Sequence, residues 1–130
     1  MDQEILVKKI GNFIEDIESK DIRLSLVMLA NIDPDASIPK YALILSSPDF
    51  DRKDPKTVFD IISKILLEKY PDLKSKFIAY LSIIRSTDPF VKSINSSITV
   101  EKFGRADIKN SRFYQAYMQD AIIFLSKKRA

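Results

Sequence analysis

This 130-residue chain has three Asp-Pro pairs, of which Asp33-Pro34 lies in a predicted turn. The other two, Asp54-Pro55 and Asp88-Pro89, constrain the fold more than any other feature of the sequence. Aspartate accepts hydrogen bonds from the free N–H groups of a first helical turn, and proline suits the first helical position because no partner is needed there. Both pairs therefore predict helix starts. The first follows an apolar run of strand length and precedes another, and this strand-helix-strand order predicts a parallel, right-handed crossover.

Apolar periodicity predicts the other elements of the chain. In chain order, the prediction is a helix over 2–19, strands over 22–30 and 41–47, a helix over 55–68, a strand over 77–85, a short helix from residue 89, a strand over 98–103 and a helix over 111–127. Alternation along the first strand places four apolar residues on one face: Ile22, Leu24, Leu26 and Met28. The last segment also suits a strand, because residues 121–125 are rich in β-forming side chains.

The resulting order, α-β-β-α-β-α-β-α, contains no repeat, linker or low-complexity stretch and predicts a single globular domain over residues 1–130. Its class is α+β or α/β, with a mixed sheet of about four strands and helices packed on it. The short connection between the first two strands predicts that they pair antiparallel. Gly11, inside the first helix, indicates close approach of another element, and Gly104 is expected in a turn at positive φ.

The residue types that are missing narrow the possible chemistry. The chain has no histidine and no cysteine, and its only glycines are Gly11 and Gly104. These absences remove the commonest neutral-pH acid/base, a thiolate nucleophile, a cysteine-ligated metal site and a glycine-rich phosphate loop. We therefore predict no cofactor and favour a protein that is not an enzyme. An acidic start and the lack of a membrane-length apolar run predict a cytoplasmic protein with no membrane partner.

Polar residues cluster at the ends of the second and third predicted strands. If these strands are parallel neighbours, their carboxyl ends lie side by side, where ligands of such sheets usually bind. Two predicted helix starts point free N–H groups into the same region, which favours an anion. The candidate anion ligands are Ser46, Ser47, Arg85, Ser86 and Thr87. Carboxylates suit Mg²⁺, and four aspartates are candidate metal ligands: Asp35, Asp49, Asp51 and Asp88. Helix caps and turn chemistry explain several of these residues without any ligand.

One short pattern brings Asp35 into this set of aspartates. Pro34-Asp35 followed by Asp51-Arg52-Lys53 has the spacing of the PD-(D/E)xK nuclease pattern. In such sites two carboxylates hold Mg²⁺ and the lysine helps to activate water. The second half of the pattern should lie on a strand beside the first, and here it falls in a predicted loop before a helix. We therefore do not assign the chain to this class.

The basic charge is concentrated in the second half of the chain. Residues 66–130 carry twelve Lys and Arg against six Asp and Glu. Four of these cations are interleaved with aromatic residues and form a candidate nucleic-acid patch: Lys102, Arg105, Lys109 and Arg112. Such a mixture can contact phosphates and stack on bases. No recognised nucleic-acid-binding motif accompanies the patch, so nucleic acid is a possible partner that we do not favour.

Taken together, these features favour a non-enzymatic interaction or regulatory module. It is expected to self-associate as a homodimer, or to bind another protein, through an apolar strand edge or helix face. The first helix and residues 113–124 are the expected contact faces. Two alternatives remain: a Mg²⁺-dependent phosphate or nucleic-acid enzyme that uses the strand-end aspartates, and nucleic-acid binding through the basic half of the chain.

Overall fold

The computed structural model describes residues 3–33, 35–37 and 40–129, and within these ranges the chain forms four α-helices and five β-strands. In chain order they are α1 Gln3–Glu18, β1 Leu26–Asn31, β2 Tyr41–Ser46, α2 Pro55–Lys69, α3 Pro71–Lys76, β3 Ile78–Ile83, α4 Pro89–Ser97, β4 Ala106–Phe113 and β5 Ala116–Ser126. A single 3-10 turn, Phe50–Arg52, precedes α2. The mixed α+β class is confirmed.

All five strands belong to one sheet, in the order β3-β2-β1-β5-β4. Strands β1 and β2 pair antiparallel, as their short connection predicts, and Val27 lies opposite Leu45. Strands β2 and β3 pair parallel across the α2 crossover, so the predicted parallel pairing is confirmed. Strand β5 joins β1 to β4 through two antiparallel ladders. The sheet therefore has one strand more than the sequence indicates, and its open edges are β3 and β4.

Asp54-Pro55 and Asp88-Pro89 begin helices, as predicted. The backbone N–H of Thr57 donates to the Asp54 carboxylate at 3.3 Å at the start of α2. At the start of α4 the backbone N–H of Phe90 donates to the Asp88 carboxylate at 2.9 Å. Both helices have proline at the first position, where no intrahelical hydrogen bond is lost. These caps place the helix starts next to the ends of β2 and β3.

The sheet separates two apolar cores. On one face α1 and α2 bury a large core, in which Phe13, Ile62 and Phe124 are almost fully removed from water. On the other face α4 covers a smaller core around Met28 and Ile94. Central strand β1 contributes to both cores because successive side chains point to opposite faces of a sheet.

Strand β1 is shorter than predicted because the alternation breaks before it starts. Ile22 and Leu24 lie in the core under α1, together with Val27 and Leu29. The next residue of the expected face, Leu26, lies in the core under α4. A regular strand cannot place residues 22 and 24 on one face and residue 26 on the other. The prediction of one face shared by all four residues was wrong.

The last third of the chain differs most from the prediction. Residues 98–103 form no strand, and Val100 makes only an isolated bridge to Ser126. The predicted helix over 111–127 is instead the end of β4 and the whole of β5. Strand β5 is buried between β1 and β4, and residues 121–126 are buried in succession. A strand buried on both faces is a continuous apolar run, whose periodicity does not distinguish it from a buried helix.

Both glycines lie beside residues 100–103. A Cβ built on Gly11 would meet the Phe103 ring carbon Cδ1 at only 2.2 Å, which confirms close approach of another segment to α1. Gly104 lies in a turn, and its N–H donates to the Glu101 carbonyl at 2.8 Å. Its φ is not positive, contrary to the prediction, whereas Phe103 has a φ of 67°. The left-handed residue of this turn is therefore the aromatic one.

Candidate functional site

The structure brings together the two polar connections that follow β2 and β3. The Ser86 backbone N–H donates to the Asp51 carboxylate at 3.1 Å, and the Ser86 hydroxyl donates to the same carboxylate. This contact joins the loop after β2 to the loop after β3, as expected for parallel neighbours. Asp51 thus holds the two loops together through two hydrogen bonds from Ser86.

The other candidate metal ligands have separate structural contacts. Asp49 accepts the Arg23 backbone N–H at 2.8 Å and pairs with its guanidinium at 3.4 Å. The Arg23 hydrogen bonds lower the pKa of Asp49, although partial burial opposes the shift. Asp88 caps α4, and Asp35 is exposed in a turn. Within the described ranges, no group of three or more acidic residues could hold a metal ion.

A cleft opens beyond the ends of β2 and β3. Three of the five predicted anion ligands do not line this main cleft. The Ser47 hydroxyl donates to the Arg23 carbonyl at 2.5 Å and accepts the Asp49 N–H at 3.0 Å. Ser46 is fully buried, and its hydroxyl has no hydrogen-bond partner among the described residues. Arg85 lies beside a small separate depression next to Asp51. The remaining two, Ser86 and Thr87, line the main cleft.

We call this opening the strand-end cleft, and its volume is about 500 Å³. Nine residues line it: Ser25, Pro48, Ser86, Thr87, Lys92, Asn95, Ser96, Lys128 and Arg129. Three of them are cations and none is a carboxylate. Its position, beyond the carboxyl ends of β2 and β3, is where the parallel pair predicts a ligand site.

Helix α4 supplies one wall of the cleft. Three lining residues of α4 have the i, i+3, i+4 spacing that places side chains on one face of a helix: Lys92, Asn95 and Ser96. The opposite face buries Val91 and Ile94 in the smaller core, which determines the side of α4 that remains polar. This polar spacing was a signal in the sequence that could have indicated the cleft.

The segment after β5 supplies two further cations. The Arg129 Nε–H donates to the Leu24 carbonyl at 3.0 Å, and its guanidinium lies 3.6 Å from the Glu18 carboxylate. Arg129 is therefore positioned by the ends of α1 and β1. Lys128 and Lys92 form no ion pair with any residue that the structure describes. Two ammonium groups without an ion-pair partner among the described residues thus line the same cleft.

A buried polar network lies beneath the cleft. The Asn95 amide donates to the Ser25 carbonyl at 3.0 Å and to the Ser126 hydroxyl at 2.9 Å. The Ser126 hydroxyl in turn donates to the Ile98 carbonyl at 2.7 Å. Ser25 is 2% exposed, and its hydroxyl has no hydrogen-bond partner in the described part of the chain. A buried hydroxyl without a partner is energetically costly, and Ser25 is also one of the residues that line the cleft.

The candidate nucleic-acid patch consists largely of paired charges. Lys102 lies 3.4 Å from Glu18, and Arg105 lies 2.7 Å from Asp107. Lys109 and Asp120 are 2.6 Å apart; this contact raises the pKa of the lysine and lowers that of the aspartate. The Arg112 guanidinium lies 5.8 Å from the centre of the Tyr117 ring. Local carboxylates therefore reduce the positive potential that a phosphate backbone would meet.

Comparison with known protein families, with curated proteins and with solved structures found no match to this chain. In the described ranges, no helix is long and apolar enough to cross a membrane. Functional inference therefore depends on the geometry of the strand-end cleft and of the sheet edges.

Proposed function

We propose that this protein is a non-enzymatic binding module that holds a small organic phosphate in the strand-end cleft. The proposal depends on two lysines, Lys92 and Lys128, that have no ion-pair partner in the described part of the chain. They lie beside Arg129 in a cleft whose nine described lining residues include no carboxylate. A cytoplasmic location is part of the same proposal.

The chemistry of the lining favours a phosphate group over other ligands. Lysine ammonium groups and hydroxyls donate hydrogen bonds, and charge-assisted hydrogen bonds to phosphate oxygens are roughly twice as strong as neutral ones. The Thr87 and Ser96 hydroxyls lie at the exposed rim, whereas the Ser25 hydroxyl lies deeper. The volume of about 500 Å³ falls within the range of small-molecule sites and exceeds the size of a lone phosphate. The rest of the cleft would accommodate the organic part of the ligand.

The same lining supports binding without catalysis. It offers positive charge and hydrogen-bond donors, and it contains neither a carboxylate nor an imidazole that could act as a general base. Asp51, in the loop after β2, already accepts two hydrogen bonds from Ser86. The alternative of a Mg²⁺-dependent enzyme remains a hypothesis that would require Asp49, Asp51 and Asp88 to exchange these contacts for metal bonds.

Titration of the ¹⁵N-labelled protein with ribose 5-phosphate, and with ribose as the matched neutral sugar, tests the proposal. We expect ribose 5-phosphate to shift the backbone amides of Thr87, Asn95 and Lys128, and ribose to shift none of them. Binding should weaken as the salt concentration rises, because ions screen exposed charges. Equal binding of both sugars, or shifts confined to other surfaces, would contradict the proposal.

Variants at Lys92 and Lys128 make the test specific. Lys92→Met and Lys128→Met each remove one charge and keep a similar apolar side chain, and each should raise the Kd about tenfold, or ~1.4 kcal/mol. Lys8→Met is the control, because Lys8 is exposed on α1 and does not line the cleft. Unchanged affinity in both cleft variants would locate the phosphate elsewhere.

A protein partner is a second candidate function, and the open edge of β3 favours it. The faces first expected for contact are largely used within the fold. Helix α1 buries Ile10, Phe13 and Ile17 in the large core, and residues 121–124 are buried in β5. By contrast, β3 presents an apolar edge that has no neighbour among the described elements.

A further inference from the structure

We infer that the open edge of β3 binds an extended segment of a partner protein, which adds as a sixth strand and carries acidic residues beside an apolar core. The inference concerns the outer edge of the sheet and uses no residue that lines the strand-end cleft, so it does not depend on the phosphate site. It specifies a chemical class of partner for an interaction surface.

The two edges of the sheet differ in how they are protected. Strand β4 carries Asp107, Lys109 and Arg112, and Asn110 interrupts it with a φ of 49°. Charges and backbone irregularities of this kind prevent edge strands from pairing with other chains. Strand β3 has the sequence Ile-Ala-Tyr-Leu-Ser-Ile, without a charged residue or a proline. Its one irregularity, a register shift against β2, lies at its start.

The backbone of β3 has hydrogen-bonding groups available on its open side. The Ile84 N–H donates to the Leu45 carbonyl of β2 at 2.9 Å. Peptide groups alternate in direction along a strand, so the N–H and C=O of Ile83 and of Leu81 point away from β2. These two residues therefore offer two donors and two acceptors to an added strand.

The side chains around this edge are incompletely covered. Leu81 and Ile83 face the large core but are only half-buried, because the sheet ends at β3. Tyr80, on the other face, is 64% exposed, and Leu67 of α2 is 59% exposed. An additional strand would bury part of this apolar surface and supply the missing backbone partners, as in β-strand addition.

The charges at the ends of β3 select the partner. A second cleft, of about 380 Å³, lies at its amino end and is lined by Lys40, Lys74 and Lys76. None of the three forms an ion pair within the described ranges, and Arg85 follows the strand at its other end. A segment with acidic flanks is complementary to both ends. An antiparallel second copy would bring Lys76 towards Arg85 of the other molecule, which is repulsive.

Two synthetic peptides with a Val-Thr-Val-Thr-Val core test the inference. One has two glutamates at each end and the other has two lysines at each end. We expect the glutamate peptide to bind at least about tenfold more tightly and to slow amide hydrogen exchange at Leu81 and Ile83. Equal binding of the two peptides, or protection of β4 amides instead, would overturn the inference. Protection of Leu81 and Ile83 that rises with protein concentration alone would show that a second copy occupies the edge.

Two variants test the roles of the lysines and of the open edge of β3. Lys74→Glu combined with Lys76→Glu should reverse the preference towards the lysine peptide, and both positions are on the surface beside β3. Tyr80→Lys places a charge on the edge and should weaken both peptides, and thermal unfolding confirms that the fold is retained. If the double variant still binds the glutamate peptide more tightly than the lysine peptide, the lysines do not have the proposed role.

Discussion

At the scale of single residues, Tyr70 is the clearest link between the two long helices. Its phenol donates to the Asp16 carboxylate of α1, and its ring meets Phe13 edge-on at 5.8 Å between centroids. Lys69 lies 3.5 Å from the same carboxylate. Burial, and then the hydrogen bond and charge of Asp16, raise the pKa of Tyr70 well above its usual value of 10. Neutral Tyr70 therefore stabilises the packing of α1 against the end of α2.

Replacing this phenol should change both the stability and its pH dependence. Tyr70→Phe should lower the free energy of unfolding by about 1–2 kcal/mol at pH 7, the usual contribution of a hydrogen bond to a charged group at a partly exposed site. In the wild type the pKa is higher in the folded state than in the unfolded state. The Tyr70 contribution is thus complete below about pH 10 and is lost as the pH rises further.

Urea denaturation at pH 7, 9 and 11 measures this effect. The difference between wild type and Tyr70→Phe should be constant from pH 7 to 9 and smaller at pH 11. Tyr80→Phe is the control, because the Tyr80 side chain is exposed, and it should change stability little at any of these pH values. A difference that grows with pH would refute the assignment of the hydrogen bond to neutral Tyr70.

At the scale of elements, the hairpin of β4 and β5 has an unfavourable turn residue. Phe113 pairs with Ala116, so only Tyr114 and Gln115 connect the strands. Tyr114 has a φ of 57°, whereas Gln115 is not in the positive region. A two-residue turn with positive φ at its first position favours glycine there. Tyrosine in this conformation is strained, and its side chain is 58% exposed, so little packing compensates.

Glycine at this position should therefore stabilise the protein. We expect Tyr114→Gly to raise the free energy of unfolding by about 0.5–1 kcal/mol, because relief of the left-handed strain exceeds the greater chain entropy of glycine. Gln115→Gly is the matched control and should destabilise, since it adds chain entropy without relieving strain. Urea denaturation of both variants decides the matter. Stabilisation by both glycines, or by neither, would contradict this account of the turn.

The same turn explains why the hairpin could not be predicted. Tyr114-Gln115 contains none of the glycine, asparagine or aspartate residues that usually identify a two-residue turn. Without that signal, the spacing of Phe113, Tyr117, Ala121 and Phe124 favoured a helix. The α2 and α4 starts were predictable because caps act through contacts within a few residues. The β-forming residues 121–125 also suited a strand, but the choice between strand and helix depends on the burial of β5 between two other strands, which apolar periodicity does not record.

At the scale of the whole molecule, the candidate site was also only partly predictable from local sequence patterns. The sequence located the ends of β2 and β3, and hence Ser86 and Thr87, from their strand-helix-strand order. The rest of the cleft comes from distant parts of the chain. Asn95 bonds to Ser25 across 70 positions, and Arg129 bonds to Leu24 across 105. The basic C-terminal residues enter the cleft only because β5 is the neighbour of β1, a pairing set by tertiary burial.

The central place of β5 leads to a prediction about the complete fold. A chain that ends at residue 113 lacks β5, which pairs with both β1 and β4 and contributes Ile122, Phe124 and Leu125 to the large core. Loss of several fully buried side chains exceeds the usual net stability of a domain this size. We expect this truncated chain to be unfolded by circular dichroism and by the narrow dispersion of its amide resonances.

A chain that ends at residue 126 separates this structural role from the proposed binding role. It keeps every strand and loses the Lys127 N–H bond to the Ser25 carbonyl together with the Arg129 contact to Leu24. These hydrogen bonds amount to about 1–3 kcal/mol, so the chain should remain folded with a lower melting temperature. It should also lose affinity for ribose 5-phosphate, because Lys128 and Arg129 are gone. A cooperatively folded chain ending at residue 113 would show that β5 is dispensable, and unchanged phosphate affinity in the longer chain would exclude the C-terminal cations from the site.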